Sequence, residues 1–174
     1  MLKTRQPMPE LSFPMLEGGA WTLSERKPEQ LSMVVAYRGA HCPVCSNYLK
    51  ELNDRVGEFA KRGVDVVAVS ADGKERAMAA KTDWELGNLP IAYDMSIDKA
   101  RELGLYISTS RGMTSIGIEE PALFNEPGLF LIKPDGTLYA AFVQTTPFAR
   151  PPLDQLLKAV DFIVDKDYPA RGEA

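Results

Sequence analysis

The sequence predicts an α/β fold with a sheet of mixed strand direction, on three observations. Short apolar runs suited to buried strands, Met33–Tyr37 and Val64–Ser70, alternate with segments whose apolar residues recur at helical spacing. Two further runs, Leu129–Lys133 and Thr137–Val143, are joined by Pro134-Asp135-Gly136, a strong turn signal. A last amphipathic segment starts at Pro151-Pro152 and places Leu153, Leu156, Leu157, Val160 and Ile163-Val164 on its inner side. Strands that alternate with helices and then end in a hairpin and a helix indicate helices packed on a mixed sheet.

The remaining elements follow in order. Leu11–Leu23 holds Gly18-Gly19 between two short apolar pieces and reads as an N-terminal hairpin, with Ser24–Gln30 a surface loop. Cys45, Tyr48, Leu49, Leu52, Val56, Phe59 and Ala60 form one face of a helix that stops near Arg62-Gly63. Asp72 can cap the next helix, whose apolar side is Ala77, Met78, Ala80 and Trp84. Leu89–Tyr93 reads as a short strand and Ile97–Leu103 as a short helix stopped by Gly104. Tyr106–Glu120 has neither period and reads as a long loop, a place where function is often carried. A chain of 174 residues fits one domain, 1–174, with residues 1–10 and 166–174 as loosely held tails.

Composition narrows the function classes. A formal charge of −4 with no basic cluster argues against nucleic acid or an anionic membrane as partner. No apolar run approaches the ~18 residues of a membrane span. Residues 1–10 have no apolar core or small-residue cleavage site, so a cytoplasmic location is expected.

The chemistry points to Cys42-Pro43-Val44-Cys45, where the strand Met33–Tyr37 turns into the amphipathic helix. Unpaired backbone N–H groups and the positive end of a helix dipole favour a thiolate at Cys42. Pro43 suits the first helical position, where a missing N–H costs little. Cys45 lies a turn further on, and its side chain turns to the apolar side, which raises its pKa. The pair is therefore asymmetric: Cys42 attacks and Cys45 resolves. The reading requires two sulfurs within bonding reach and one that solvent can reach. Two buried inert thiols, or half of a zinc site, are the alternatives. Zinc wants four ligands, against two cysteines and one histidine here, so no metal or cofactor is expected. His41 either adds positive charge near Cys42 or shields it. Arg38 could do the former, although a solvated side chain is the plainer reading.

FPMLEGGAWTLSE, YRGAHCPVC, VDVVAVSAD and GLFLIKPDGTLYAAFVQTTPFARP, in this order, resemble the alkyl hydroperoxide reductase and thiol-specific antioxidant family, the peroxiredoxin-like branch of the thioredoxin fold. The resemblance implies a thioredoxin fold, a central mixed sheet flanked by helices, with an N-terminal β-hairpin extension. It sets Cys42-Pro43 where peroxiredoxins carry the peroxidatic cysteine and its proline. Gly39 and Val35 stand where the family has a threonine or serine and a proline that shape the peroxide pocket. Cys45 replaces a glutamate, and Pro127 an arginine that polarises the peroxide. Pro127 also falls where thioredoxins carry a cis-proline, which predicts a cis Glu126-Pro127 bond beside Cys42. Arg150 matches a second arginine near the active site, or is a surface arginine at the start of the last helix. The implied function is a thiol-dependent oxidoreductase that reduces a disulfide or hydroperoxide through Cys42 and Cys45. A cellular dithiol would reset it, and a homodimer is a further implication. The other class is a non-catalytic redox-sensing or interaction module that uses the 106–120 loop as its partner surface.

Overall fold

The computed structural model describes residues 2–174. Strands β1 (Ser12–Pro14) and β2 (Ala20–Thr22) form the N-terminal hairpin and lead through a 3-10 turn into β3 (Leu31–Ala36). Helix α1 (Pro43–Lys61), β4 (Val64–Val69), α2 (Lys74–Asp83), β5 (Ile91–Ala92) and α3 (Ile97–Glu102) follow. Then come β6 (Ile107–Thr109), β7 (Leu123–Asn125), β8 (Gly128–Ile132), β9 (Leu138–Val143) and α4 (Leu153–Lys166). The central sheet has the order β5-β4-β3-β8-β9. β3 runs parallel to β4 and antiparallel to β8, so the sheet is mixed, as the sequence predicted.

Alternation along the strands separates two cores. Met33, Val35, Leu129 and Leu131 face α1, α2 and α4. Val34, Ala36, Val67, Val69, Phe130 and Ile132 face the N-terminal hairpin and α3. On α1, Leu49, Leu52 and Phe59 are fully buried, each contributing about 1.5–3 kcal/mol. That face anchors α1 along the sheet and fixes where its N-terminus points.

Several sequence expectations are corrected. Asp72 does not cap α2: its N-cap, Gly73, makes no side-chain bond, because the Asp72 carboxylate is drawn to the turn after β3. Met78 is exposed, since Ala77 and Ala80 already fill the shallow contact with the sheet. The 106–120 segment is not an unstructured loop. β6 pairs with β7, and Met113 bridges Glu119. The tails are pinned rather than loose. Leu138 exchanges backbone hydrogen bonds with Arg5 and Gln6, Met8 and Ala170 are buried, and Thr4 Oγ1 donates to the Arg171 carbonyl at 2.8 Å. Both ends thus complete the edge near β9, which period-based reading of short polar segments does not register.

The Glu126-Pro127 bond is trans, as no described residue has a cis bond. Glu126 N donates to the Tyr106 carbonyl and the Pro127 carbonyl accepts from Gln144, so the junction between β7 and β8 is extended on both sides. An ordinary trans bond satisfies that path, and a proline just before a strand gives up no ladder bond.

Candidate active site

The site grows from the C-terminal end of β3, in the middle of the sheet. Gly39 has φ +136, and a Cβ there would stand 2.6 Å from Asp72 Oδ2. Asp72 is buried, accepts from Ala40 N at 2.7 Å and from Arg76 Nε at 2.9 Å. Buried Asn125 donates to the Tyr37 carbonyl at 3.0 Å and accepts from Ala71 N at 3.2 Å. Residues from after β4 and from β7 thereby fix the turn that delivers Cys42.

Cys42 is the N-cap of α1, and Pro43 takes the first helical position. The Cys42 sulfur accepts from Cys45 N at 3.3 Å, one of the donors that a helix start leaves unpaired. Its pKa falls to about 6. The hydrogen-bonding Cys45 thiol is the largest cause; the backbone N–H of Cys45 and the Arg38 guanidinium add to it, against burial. Burial pushes the Cys45 thiol well up, and its hydrogen bond to Cys42 pushes it further, while Arg150 opposes both. The two sulfurs are thus pushed in opposite directions, Cys42 down and Cys45 up.

Arg38 is not solvated. Its Nη1 points at the Cys42 sulfur at 4.0 Å, its Nε lies 3.2 Å from Glu126 Oε2 outside hydrogen-bond alignment, and its Nη2 lies 3.7 Å from Glu120. The guanidinium also covers the Phe124 ring at 4.7 Å. Ser108 donates to Glu126 at 2.6 Å, so the β6–β7 hairpin holds the arginine over the sulfur. His41 does not supply charge to Cys42. Burial lowers its pKa to about 4, its ring stands edge-on to Phe124 at 4.6 Å, and its Nδ1 is 3.5 Å from Arg76. Neutral at pH 7, it packs behind the turn. Arg150 is not a free surface arginine either: its Nη2 donates to the Cys45 sulfur at 2.8 Å.

Pro127 is brought to the end of the sheet, since the register that pairs Ala36 with Gly128 sets it beside Tyr37. The trans bond leaves it without the substrate-aligning geometry that a cis-proline would offer. Cys42 is 1% exposed and Cys45 0%. The requirement for a solvent-reachable sulfur is thus unmet in this conformation. Arg38, whose Nη1 points at the Cys42 sulfur, also lines a groove of about 630 Å³ together with Ser108, Phe124, Glu126, Thr145 and Phe148. No group of three or more acidic, histidine or cysteine side chains suited to a metal occurs among the described residues.

Sequence reading missed Asp72, Glu120, Glu126, Ser108 and Tyr48 as parts of the site. The sequence carried no signal for Glu126, because Asn125-Glu126-Pro127-Gly128 reads locally as an exposed turn between two short apolar pieces.

Residues 4–141 match the family described as AhpC/TSA. No curated protein matches the chain. Among solved structures, a peroxiredoxin 6 mutant of Arenicola marina has 19% identity and a TM-score of 0.74, over 96% of this chain and 76% of that one. Peroxidoxin BcpB from Mycobacterium tuberculosis has 20% identity and a TM-score of 0.71, over 94% and 99%. Reduced Prx3 of Vibrio vulnificus, solved with hydrogen peroxide, has 18% identity and a TM-score of 0.72, over 92% and 99%. At these identities the structural likeness speaks for the fold, which is the thioredoxin fold of peroxiredoxins. With most of its length matched, an N-capping cysteine at the turn into α1 and that fold around it, this chain belongs to the AhpC/TSA family and is a thiol-dependent oxidoreductase of peroxiredoxin-like type.

Proposed function

We propose that Cys42 reduces a hydroperoxide and that Cys45 resolves the product. The observation that carries this reading is the Cys42 sulfur held by the Cys45 N–H and faced by Arg38. The thiolate attacks the distal oxygen of ROOH; the O–O bond breaks and ROH leaves with a proton, giving the Cys42 sulfenic acid. Cys45 then attacks the Cys42 sulfur, the S–O bond breaks, water leaves, and a Cys42–Cys45 disulfide remains. A cellular dithiol returns two electrons. A homodimer and a cytoplasmic location belong to the same proposal.

The trans bond at Pro127 removes one argument for a disulfide substrate. The peroxide pocket is nonetheless sparse in donors. Asp72 occupies the space of any side chain at Gly39 and takes the Ala40 N–H, so Arg38 is the main group left to polarise the O–O bond. Slow peroxidase turnover is the expectation. The non-catalytic module is not favoured by the family match, and the 106–120 segment it would use instead braces Arg38.

Reduced protein is to be mixed with hydrogen peroxide and, separately, with a protein disulfide such as insulin, while both thiols are counted. Loss of two thiols per peroxide, faster than exchange with insulin, supports the peroxidase. Faster exchange with insulin moves the substrate class to disulfides, and inertness to both refutes the dithiol reading.

The pH dependence of the first step follows from the lowered Cys42 pKa. The thiolate forms as pH rises through about 6, so the rate of peroxide consumption is half-maximal near there and falls about tenfold per pH unit below it. A midpoint near the ordinary thiol value of ~8.5 would contradict this environment.

A further inference from the structure

Arg38 and Arg150 each face one of the two sulfurs, but their surroundings differ. Arg38 shares its charge with Glu126 and Glu120. Arg150 forms no ion pair among the described residues; its Nε and Nη1 are buried and donate to no protein acceptor, and its only hydrogen bond is to the Cys45 sulfur. The guanidinium lies over the Tyr48 ring at 5.1 Å, and Tyr48 donates to the carbonyl of Pro151, the next residue, at 2.8 Å. The ring, fixed on α1 a turn beyond Cys45, thus holds Arg150 from below and ties down its backbone.

We propose that Arg150 is a catalytic residue of the second half-reaction, stabilising Cys45 as the thiolate that attacks oxidised Cys42. This rests on the dithiol reading above. A half-buried guanidinium whose Nε and Nη1 are closed to solvent and which has no carboxylate partner is costly, and the one group placed to become its counter-anion is the Cys45 sulfur. While Cys42 is ionised, Cys45 keeps its proton: two thiolates in contact repel, and the Cys45 S–H is bonded to the Cys42 sulfur. Conversion of Cys42 to the sulfenic acid removes that negative charge. The field of Arg150 then acts on Cys45 alone and favours loss of its proton. Cys45 attacks, the Cys42 S–O bond breaks, and the departing hydroxide leaves as water with the proton that Cys45 gave up. The only oxidant required is the hydroperoxide that made the sulfenic acid.

The groups that face Cys45 are Cys42 at the N-cap, Tyr37 at the end of β3, and Arg150, with Tyr48 beneath it. Tyr37 and Tyr48 both have pKa values raised by burial and stay neutral through the neutral range, so the pH profile of disulfide closure reports Cys45.

The test follows closure after one equivalent of hydrogen peroxide, with the sulfenic acid trapped by dimedone and located by mass spectrometry. Unaltered protein, Arg150→Met and Arg150→Lys are compared across pH. In Arg150→Met, closure is expected to slow on the order of 10- to 100-fold, the sulfenic acid to become trappable on Cys42, and the closure midpoint to rise by about one pH unit or more. Arg150→Lys, which keeps the charge and loses the fork, recovers part of both. Closure in Arg150→Met at the original rate and midpoint overturns the proposal. So does slower closure with an unmoved midpoint, or a lysine variant no better than methionine, since either assigns Arg150 to packing. Failure of the dithiol reading itself looks different: the unaltered protein would then form no Cys42–Cys45 disulfide.

Discussion

Cys42→Ser is expected to abolish peroxide consumption, by at least about 10³-fold, whereas Cys45→Ser should consume one equivalent and stop. A serine hydroxyl at the α1 N-cap still accepts from Cys45 N but does not ionise near neutral pH, so the dipole and Arg38 have no anion to stabilise. Removing Cys42 also takes away the acceptor of the Cys45 S–H. It cannot hand the attacking role to Cys45, whose pKa burial holds well above the ordinary thiol range. Stopped-flow peroxide consumption with mass spectrometry of both variants checks this. Rapid oxidation of Cys45 in Cys42→Ser would reverse the assigned roles.

The second large effect is structural. Gly39→Thr would place in this chain the residue type that peroxiredoxins carry three positions before the attacking cysteine. It is expected to destabilise the fold by about 3 kcal/mol or more rather than to improve the peroxide pocket. A β-branched residue at φ +136 is strained, and its Cβ would meet Asp72 Oδ2 at 2.6 Å. Displacing that buried carboxylate breaks its bonds to Ala40 N and Arg76 and leaves a charge without partners. For a chain of this length the loss corresponds to a midpoint lower by roughly 6–12 °C in thermal unfolding. An unchanged midpoint with faster peroxide turnover would show that the turn can rearrange around a side chain there.

These two positions also show what could be read from sequence. The Cys42–Cys45 pair, Pro43 and the helix they start were legible because their relation is local: spacing along one helix fixes which groups meet. The sheet was legible too, because β3, β4, β8 and β9 are apolar runs bounded by turn residues. Arg38 was misjudged because its partners, Glu120 and Glu126, arrive from a distant hairpin through tertiary packing. His41 is similar: its neutrality depends on burial against Phe124, and no local rule encodes that. Asp72 was rightly seen as an acceptor of a backbone N–H but assigned to the start of α2, whereas Ala40 N in the turn after β3 and the Arg76 side chain take its carboxylate. The cis-proline expectation failed because it transferred a conformation by position, where the extended path from β7 to β8 determines it.

The enclosure of the two sulfurs has a consequence for damage by excess oxidant. A sulfenic acid faces a choice between condensing with a thiol and reacting with another peroxide to the sulfinic acid, a step that most cells cannot undo. In the proposed cycle the competing thiol belongs to the residue whose N–H already lies 3.3 Å from the Cys42 sulfur, whereas a second peroxide must diffuse in. On that proposal proximity replaces diffusion on one branch only, which favours the disulfide over the sulfinic acid.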